Sequence, residues 1–502
     1  MKSKKNRKLI CAFVLTSLII LSINTALCEV IDNIFVKEFK FEGNTVFSDE
    51  ELNKIANEYA GKEITYDKLN ELRNKLTIYY VQNGFINSGV IIPDQAINNG
   101  VITFKIIEGT ISNIEITGNE WLRTGYVKNR LKLNIGPPFN INSLQDRLLI
   151  LHQDPLIDRM NTEVRPGINL GEGILKVKVE EARPYHAGIV FKNDNPPSSG
   201  ANTLESYISH QNITGWGDSI ELKYGFSEGV DDLSVYYQVP LTARDTILAF
   251  GYSKGSSDVI EEPFDAIDIE GKSENYEISL SHPIIKKANQ ELIFGIKGEK
   301  RHSSTYLLGF PYSFSKGAND GTSRITVIRF YQNWTHRGAY QVLGARSVFS
   351  TGIKALGATD NPSGPDGQFF AWLGQFQSAR KFEKLFNIQI IIKGDLQLAS
   401  VQLLNLEKYC LGGITTVRGY RENQLVRDNA AVGSMEMRLP ITKLKIPKLS
   451  KTSEDGMIYF APFVDYGYGW NKGGSTPDPK SISSVGTGLR WDVADKINAF
   501  IY

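Results

Sequence analysis

From Tyr185 onward the sequence alternates apolar and polar residues with a period of two. No apolar run there approaches the roughly 18–20 residues of a membrane helix. The clearest case is Ile458, Phe460, Pro462, Val464, Tyr466, Tyr468 and Trp470, with Ala461, Phe463, Asp465, Gly467 and Gly469 between them. Ile220, Leu222, Tyr224 and Phe226 alternate in the same way with Ser219, Glu221, Lys223 and Gly225. Successive side chains of a strand point to opposite faces, so each stretch is a strand with one apolar and one polar side. An apolar face that closes in three aromatics is what a strand shows where it leaves a bilayer at headgroup level. With 22 Tyr, 25 Phe and 45 Gly, and a mean hydropathy of only −0.22, the chain reads as an antiparallel transmembrane β-barrel. The strands of such a barrel are individually only weakly hydrophobic.

Connection lengths carry the same message. If the first strand runs outward, the short connections, such as 240–245 and 380–384, fall on the periplasmic side. The long ones, 256–272, 303–321 and 400–430, fall outside, and the exception is the long periplasmic turn 442–456. The count reaches fourteen strands and the start of a fifteenth at 496–502. Single-chain barrels close on an even number, because an open edge in lipid is prohibitive.

The segment 400–430 stands apart. It lies between period-2 segments at 385–398 and 432–439 and contains Leu411, Gly412, Gly413, Ile414, Thr415, Thr416, Val417, Arg418, Gly419, Tyr420 and Arg421. A loop this long inside a domain is functional or disordered. Its Tyr409, Leu411, Ile414, Val417 and Tyr420 are too apolar for a solvated tail. The expectation is a folded loop tucked into the barrel lumen with Arg418 as its anchor.

Residues 1–28 carry a basic start (Lys2, Lys4, Lys5, Arg7, Lys8), an apolar core at 9–23 and Ala26-Leu27-Cys28, the layout of a cleavable secretory signal. Cleavage there would leave Cys410 as the only cysteine and exclude an intramolecular disulfide. The formal net charge of +1, with Lys and Arg dispersed, excludes a nucleic-acid footprint. The six histidines are scattered, with no metal-ligand spacing, no nucleophile elbow and no phosphate loop. No cofactor, no metal site and no enzymatic activity are expected. The acidic stretch 258–270 lacks calcium-loop spacing and reads as a solvated outer loop.

Residues 34–182 hold one unit twice, offset by 75 positions. Gly43-Asn44 matches Gly118-Asn119, Gly61 matches Gly136, Leu69 matches Leu144 and Leu76 matches Leu151. Each copy reads strand, helix, helix, strand, strand. In the first, Ser48 and Glu51 form a capping box, and Leu69, Leu72, Leu76 and Tyr79 mark one helical face. This pattern, with Gly100-Val101-Ile102 and Glu108-Gly109-Thr110-Ile111 at the junction, resembles tandem POTRA domains. The resemblance implies periplasmic modules that hold unfolded clients by adding a client strand to a sheet edge, with the exposed short strand 101–107 as the candidate edge. The division implied is 1–28 signal peptide, 30–109 and 110–183 POTRA-like domains, and 184–502 barrel with its loop at 400–430.

The barrel resembles the transporter half of two-partner secretion systems, the haemolysin-activator and filamentous-haemagglutinin type, within the wider superfamily of barrel-assembly insertases. Val417-Arg418-Gly419-Tyr420 stands where that family has its signature loop, between the eleventh and twelfth strands. Phe463, Asp465 and Gly467 match its partner F-x-D-x-G pattern on the strand after next. The resemblance implies that Arg418 meets Asp465 on the lumen wall, a planar fork on a carboxylate. Gly419 would let the backbone pass close to the wall or take a positive φ.

The resemblance further implies a monomeric outer-membrane pore of a Gram-negative bacterium. It would recognise a large, unfolded, β-rich partner in the periplasm and export it without ATP. The alternatives are an insertase for other barrels, or a passive porin or receptor. Two departures from the family pattern are expected: no plug helix before the first repeat, and a closing strand within roughly 30 residues beyond Tyr502, since the family barrel has sixteen strands.

Overall fold

The computed structural model describes residues 33–502, so the expected signal peptide at 1–28 lies outside the described residues. The chain divides into two compact units. One holds the residues up to Ile114 with 135–143 and 163–176; the other holds 115–134, 144–162 and 177–502.

In the first repeat, helices Asp49–Ala56 and Tyr66–Gln82 cover a three-stranded sheet of order Glu38–Glu42, Val101–Ile107, Gly89–Ile91. The capping box is present: Ser48 Oγ accepts from the Glu51 amide at 3.3 Å, and the Glu51 carboxylate accepts from the Ser48 amide at 2.9 Å. The core gathers Leu52, Leu72, Leu76, Tyr80 and Phe104. Tyr80, rather than the expected Tyr79, is the fully buried aromatic at the end of the second helix, and Tyr79 packs on Phe47 beside it. One expectation is overturned. Val101–Ile107 is the central strand of its sheet, hydrogen-bonded on both sides, and the free edges are Glu38–Glu42 and Gly89–Ile91. Its regular alternation (Ile102, Phe104 and Ile106 all buried) marks which face meets the core, but not which edges are paired.

The Gly-Asn turn is built alike in both repeats. Gly43 adopts φ +87°, and a Cβ there would meet the Ile106 carbonyl oxygen at 2.5 Å; Gly118 adopts φ +81° and faces the Val179 carbonyl at 2.4 Å. The positive φ and the close carbonyl both require glycine. Asn44 and Asn119 each donate to a carbonyl three residues on, Phe47 at 3.0 Å and Leu122 at 2.7 Å. A carboxylate then captures the following amides. Glu108 takes Thr45 and Val46, and Glu181 takes Glu120, Trp121 and Leu122. The second repeat's sheet has the order Thr110–Thr117, Glu172–Glu181, Ile157–Pro166.

The remainder is one antiparallel sheet of sixteen strands, fifteen of them in an unbroken path. Those fifteen are β1 (Tyr185–Asn193), β2 (Asn202–His210), β3 (Ser219–Phe226), β4 (Val230–Pro240), β5 (Ile247–Asp258), β6 (Ile269–Lys287), β7 (Gln290–Leu307) and β8 (Thr322–Arg337), followed by β9 (Gln341–Ile353), β10 (Phe370–Phe382), β11 (Ile388–Ala399), β12 (Asn429–Lys443), β13 (Met457–Trp470), β14 (Ser481–Ala494) and β15 (Ile497–Ile501). The two-residue strand Phe310–Pro311 pairs with the end of β7 off this path. No register joins β15 to β1. The long segment 400–428 connects the eleventh strand to the twelfth.

Alternation is cleanest on β2, β3 and β13. On β13, Phe460, Val464, Tyr466 and Tyr468 are exposed while Ala461, Phe463, Asp465 and Gly467 are buried. β11 begins three residues later than the period-2 reading placed it. Phe386 and Asn387 adopt φ +52° and +59°, and two successive positive-φ residues make a tight hairpin turn.

Candidate functional site

The loop between β11 and β12 folds in two parts. Its legs are tied by a short ladder, Tyr409–Leu411 against Leu425–Arg427. Below the ladder, Asp428 is fully buried; its carboxylate accepts from the Leu403 amide at 3.0 Å and the Lys472 amide at 2.9 Å. Leu403 packs into an apolar cluster with Val327, Phe369, Ala371 and Ala399. Above the ladder, residues 412–424 form a tip that begins at Gly412 and Gly413, with φ of +109° and +90°.

The loop touches the polar faces of strands all along the sheet. Glu407 meets Arg301 on β7 and Arg329 on β8. Arg418 meets β12 and β13, and Tyr420 donates to the Ser483 carbonyl of β14 at 3.1 Å. Ile414, Thr415, Glu422 and Asn423 line a cavity of about 490 Å³ together with Lys192, Glu205, Lys223 and Asp232 of β1–β4. One loop reaches all of these only if the sheet curls around it, so their polar faces look into a lumen that the loop occupies.

Arg418 is 7% exposed and Asp465 1%. The guanidinium meets the carboxylate as a fork, Nε to Oδ2 and Nη2 to Oδ1, both at 2.8 Å, and the Arg418 amide adds a third donor at 3.0 Å. Nη1 reaches Glu436 Oε2 at 2.6 Å. The guanidinium carbon lies 3.7 Å from the centre of the Phe463 ring and 4.7 Å from that of Tyr502, a cation held between aromatic faces.

The other motif residues fit around this contact. Val417 is fully buried against Leu411, Leu425 and Ile482. A Cβ at Gly467 would stand 2.9 Å from Val417 Cγ2, so the wall strand must be bare where the loop lies on it. Gly419 has φ +85° with nothing near its missing Cβ. Of the two reasons expected for a glycine there, the backbone conformation is the operative one.

Sequence reasoning missed half of this cluster. Ser434 sits directly across from Asp465 in the β12–β13 register and donates to it at 2.7 Å. Glu436, two residues on, accepts from Arg418, from Arg438 Nε at 2.8 Å and from the Tyr502 hydroxyl at 2.7 Å. The signal was available, because Ser434, Glu436 and Arg438 form the polar side of an alternating strand. The Glu407 contacts carried no signal, since a loop residue's partner on a distant strand follows from the curl of the sheet alone.

An antiparallel barrel carrying an inward-folded, arginine-pinned loop, in a chain that also carries a POTRA-type module, defines an outer-membrane transporter of the POTRA-plus-barrel class. The model of the haemolysin secretion/activation protein ShlB/FhaC/HecB matches residues 171–491, and that of the ShlB-type POTRA domain matches 34–109. The chain belongs to the ShlB/FhaC/HecB family.

Among curated relatives, the heme/hemopexin transporter protein HuxB of Haemophilus influenzae is 21% identical over 481 residues, covering 89% of this chain and 78% of that protein. The outer membrane transporter CdiB of Dickeya dadantii is 21% identical over 448 residues, covering 87% and 76%. The solved structure of CdiB from Escherichia coli superposes with a TM-score of 0.67 at 17% identity, covering 93% of this chain and 85% of that one. BamA of Haemophilus ducreyi, lacking POTRA domains 1–3, superposes at 0.53 with 14% identity, covering 91% and 93%. The protein is thus an outer-membrane transporter of secreted partner proteins with a periplasmic POTRA domain, and not an enzyme.

Proposed function

We propose that the chain, as a monomer in outer-membrane lipid, conducts one large, unfolded, β-rich partner from the periplasm to the cell surface without ATP. In this reading residues 30–109 and 110–183 are the recruiting modules, 184–502 is the conduit and 400–430 is the element that must yield. Recruitment would use the free sheet edges, Glu38–Glu42 and Gly89–Ile91 in the first repeat, to which a client strand can be added.

The observation that carries the reading is the loop's position. It occupies the lumen and is pinned there by side-chain contacts rather than by continuous strand pairing. Such contacts can be made and broken without unfolding the wall. Val417, Arg418, Gly419 and Tyr420 with Phe463, Asp465 and Gly467 are assigned as the pinning site.

The test is secretion of the partner into the medium by cells expressing the full chain, the Arg418→Ala chain, or a chain lacking 34–182. Loss of the exported protein is expected for both variants while the barrel still assembles. A deletion variant that still exports the partner, or an intact chain whose removal leaves every exported protein in the medium, refutes the proposal.

A further inference from the structure

The contacts of the loop are not spread evenly along it. Glu407, in the leg below the ladder, is a buried anion gripped by two cations of the wall. Arg329 holds it as a fork, Nη1 to Oε2 at 3.0 Å and Nη2 to Oε1 at 2.7 Å, and Arg301 Nη1 reaches Oε1 at 2.9 Å. Arg301 also donates to the Leu406 carbonyl at 2.6 Å. Arg329 is itself fixed by Glu299 at 2.5 Å and by Ser350 at 2.6 Å. Gln397 of β11 donates to the carbonyls of both Glu407 and Asp428, one on each leg.

The base of the loop is therefore tied to β7, β8 and β11 by groups that do not touch Arg418. The tip has a different set of ties. It leaves the ladder through two successive positive-φ glycines, and its own turns are closed internally, Gly412 to Thr416 Oγ1 and Ile414 to the Glu422 carboxylate, both at 2.9 Å. Its buried polar contact with the wall is the Arg418 fork. The Arg421–Glu261 pair, at 3.3 Å, is exposed, and exposed pairs contribute little.

The two clamps have opposite polarity: the base offers an anion to a cationic wall, and the tip offers a cation to an anionic one.

We infer that the loop is an arm on a fixed base. Glu407 is a positioning residue that keeps 400–411 and 425–430 seated, while release of Arg418 lets residues 412–424 swing at Gly412–Gly413. The inference rests on the reading that this loop obstructs the path of the partner, but it concerns which part moves. An arm hinged inside the lumen clears a passage and returns to its clamp without being threaded back.

Cys410 lies in the ladder, half-buried, three residues from Glu407, and is the natural reporter of the base. With Cys11 and Cys28 replaced by serine, the rate of its reaction with a maleimide is measured on the folded full chain in detergent. Val417→Cys in a Cys410→Ser background reports the tip. Arg418→Ala is expected to speed labelling at position 417 by tenfold or more and to change labelling of Cys410 by less than about twofold. Glu407→Gln is expected to speed labelling of Cys410 by about tenfold, and Arg301→Gln, which removes one of its two cations, by an intermediate factor.

If Arg418→Ala opens Cys410 as much as position 417, the loop leaves as one piece and the inference is overturned. If neither Glu407→Gln nor Arg301→Gln changes Cys410, the base is held by something else and Glu407 is not its anchor. Should Glu407→Gln not fold, as judged by heat-modifiable migration, the Arg418→Ala and Arg301→Gln measurements still decide. None of these readouts requires secretion, so a failure here is distinct from a failure of the transport reading.

Discussion

Replacing Arg418 by alanine takes the shared cation away from two buried carboxylates, but their losses are unequal. Glu436 keeps Arg438 and the Tyr502 hydroxyl, whereas Asp465 keeps only the Ser434 hydroxyl and the residue-418 amide. Stranding one partner of a buried pair costs about 3–5 kcal/mol, which corresponds to a factor of about 10²–10⁴ between the seated and released tip. Asp465→Ala is milder. Arg418 then still has Glu436 at 2.6 Å and lies on the Phe463 ring, so the loss is that of charged hydrogen bonds alone, about 1.5–3 kcal/mol. The expected order is therefore Arg418→Ala worse than Asp465→Ala. The double variant should be no worse than Arg418→Ala, because deleting Asp465 removes the stranded charge. The assay is protease cleavage within 412–424 on the folded full chain, read beside export of the partner. An Asp465→Ala chain that cleaves faster than Arg418→Ala, or a double variant equal to the sum of the singles, would refute this reasoning.

Arg418→Lys should behave nearly as Arg418→Ala in both assays, because one ammonium cannot serve Asp465 and Glu436 while lying flat on Phe463; export at the wild-type rate would contradict it. Gly467→Val places methyl groups where Val417 and Leu411 already stand, 2.9 and 3.1 Å from the added Cβ. Overpacking of about 1–3 kcal/mol should lift the tip and speed its cleavage, and unchanged cleavage would show that the wall can give. Ser48→Ala removes a helix cap worth about 0.5–2 kcal/mol, seen as faster amide exchange in 49–56 with the barrel unaffected. The Glu71 carboxyl is held down to about 2, first by the hydrogen bond from Lys68 and then by those from Tyr59 and Lys75. A depressed carboxyl stabilises above its unfolded value of 4.5 and ceases to do so as pH falls toward 2. The carboxyl carbon shift of Glu71 should therefore titrate near pH 2, and a midpoint above 4 would show the contacts to be absent in solution.

The wall was legible because a half-buried strand writes its two faces into the sequence. Asp465 could be aimed inward from Tyr466, Tyr468 and Trp470 alone, and the buried–exposed pattern of β13 follows that reading residue by residue. The loop's place between two period-2 segments was legible in the same way, while its position between the eleventh and twelfth strands was what the family resemblance implied. Two things were not legible, for different reasons. The edges of the first repeat depend on strand order, and the parallel pairing of Glu38–Glu42 with Val101–Ile107 bridges some sixty residues with no local mark. The grip of Arg301 and Arg329 on Glu407 needs the radius of a curled sheet, which no single strand encodes. Ser434 and Glu436 fall between these cases. Their inward aim was readable, but their meeting with Arg418 needed the register of β12 against β13.

The paired Gly-Asn turns have a mechanical consequence. In each repeat a carboxylate at the end of the last strand, Glu108 or Glu181, holds the amides just after the first strand. In the first repeat these two strands run parallel, so the staple joins their outgoing ends. A load applied between the start of the first strand and the end of the last must slide these parallel strands past each other, and the staple resists that sliding at their outgoing ends. Peeling the sheet would require two or three amides to leave one carboxylate together. A module closed in this way transmits a tug to its neighbour as a rigid link and keeps its fold while it does so.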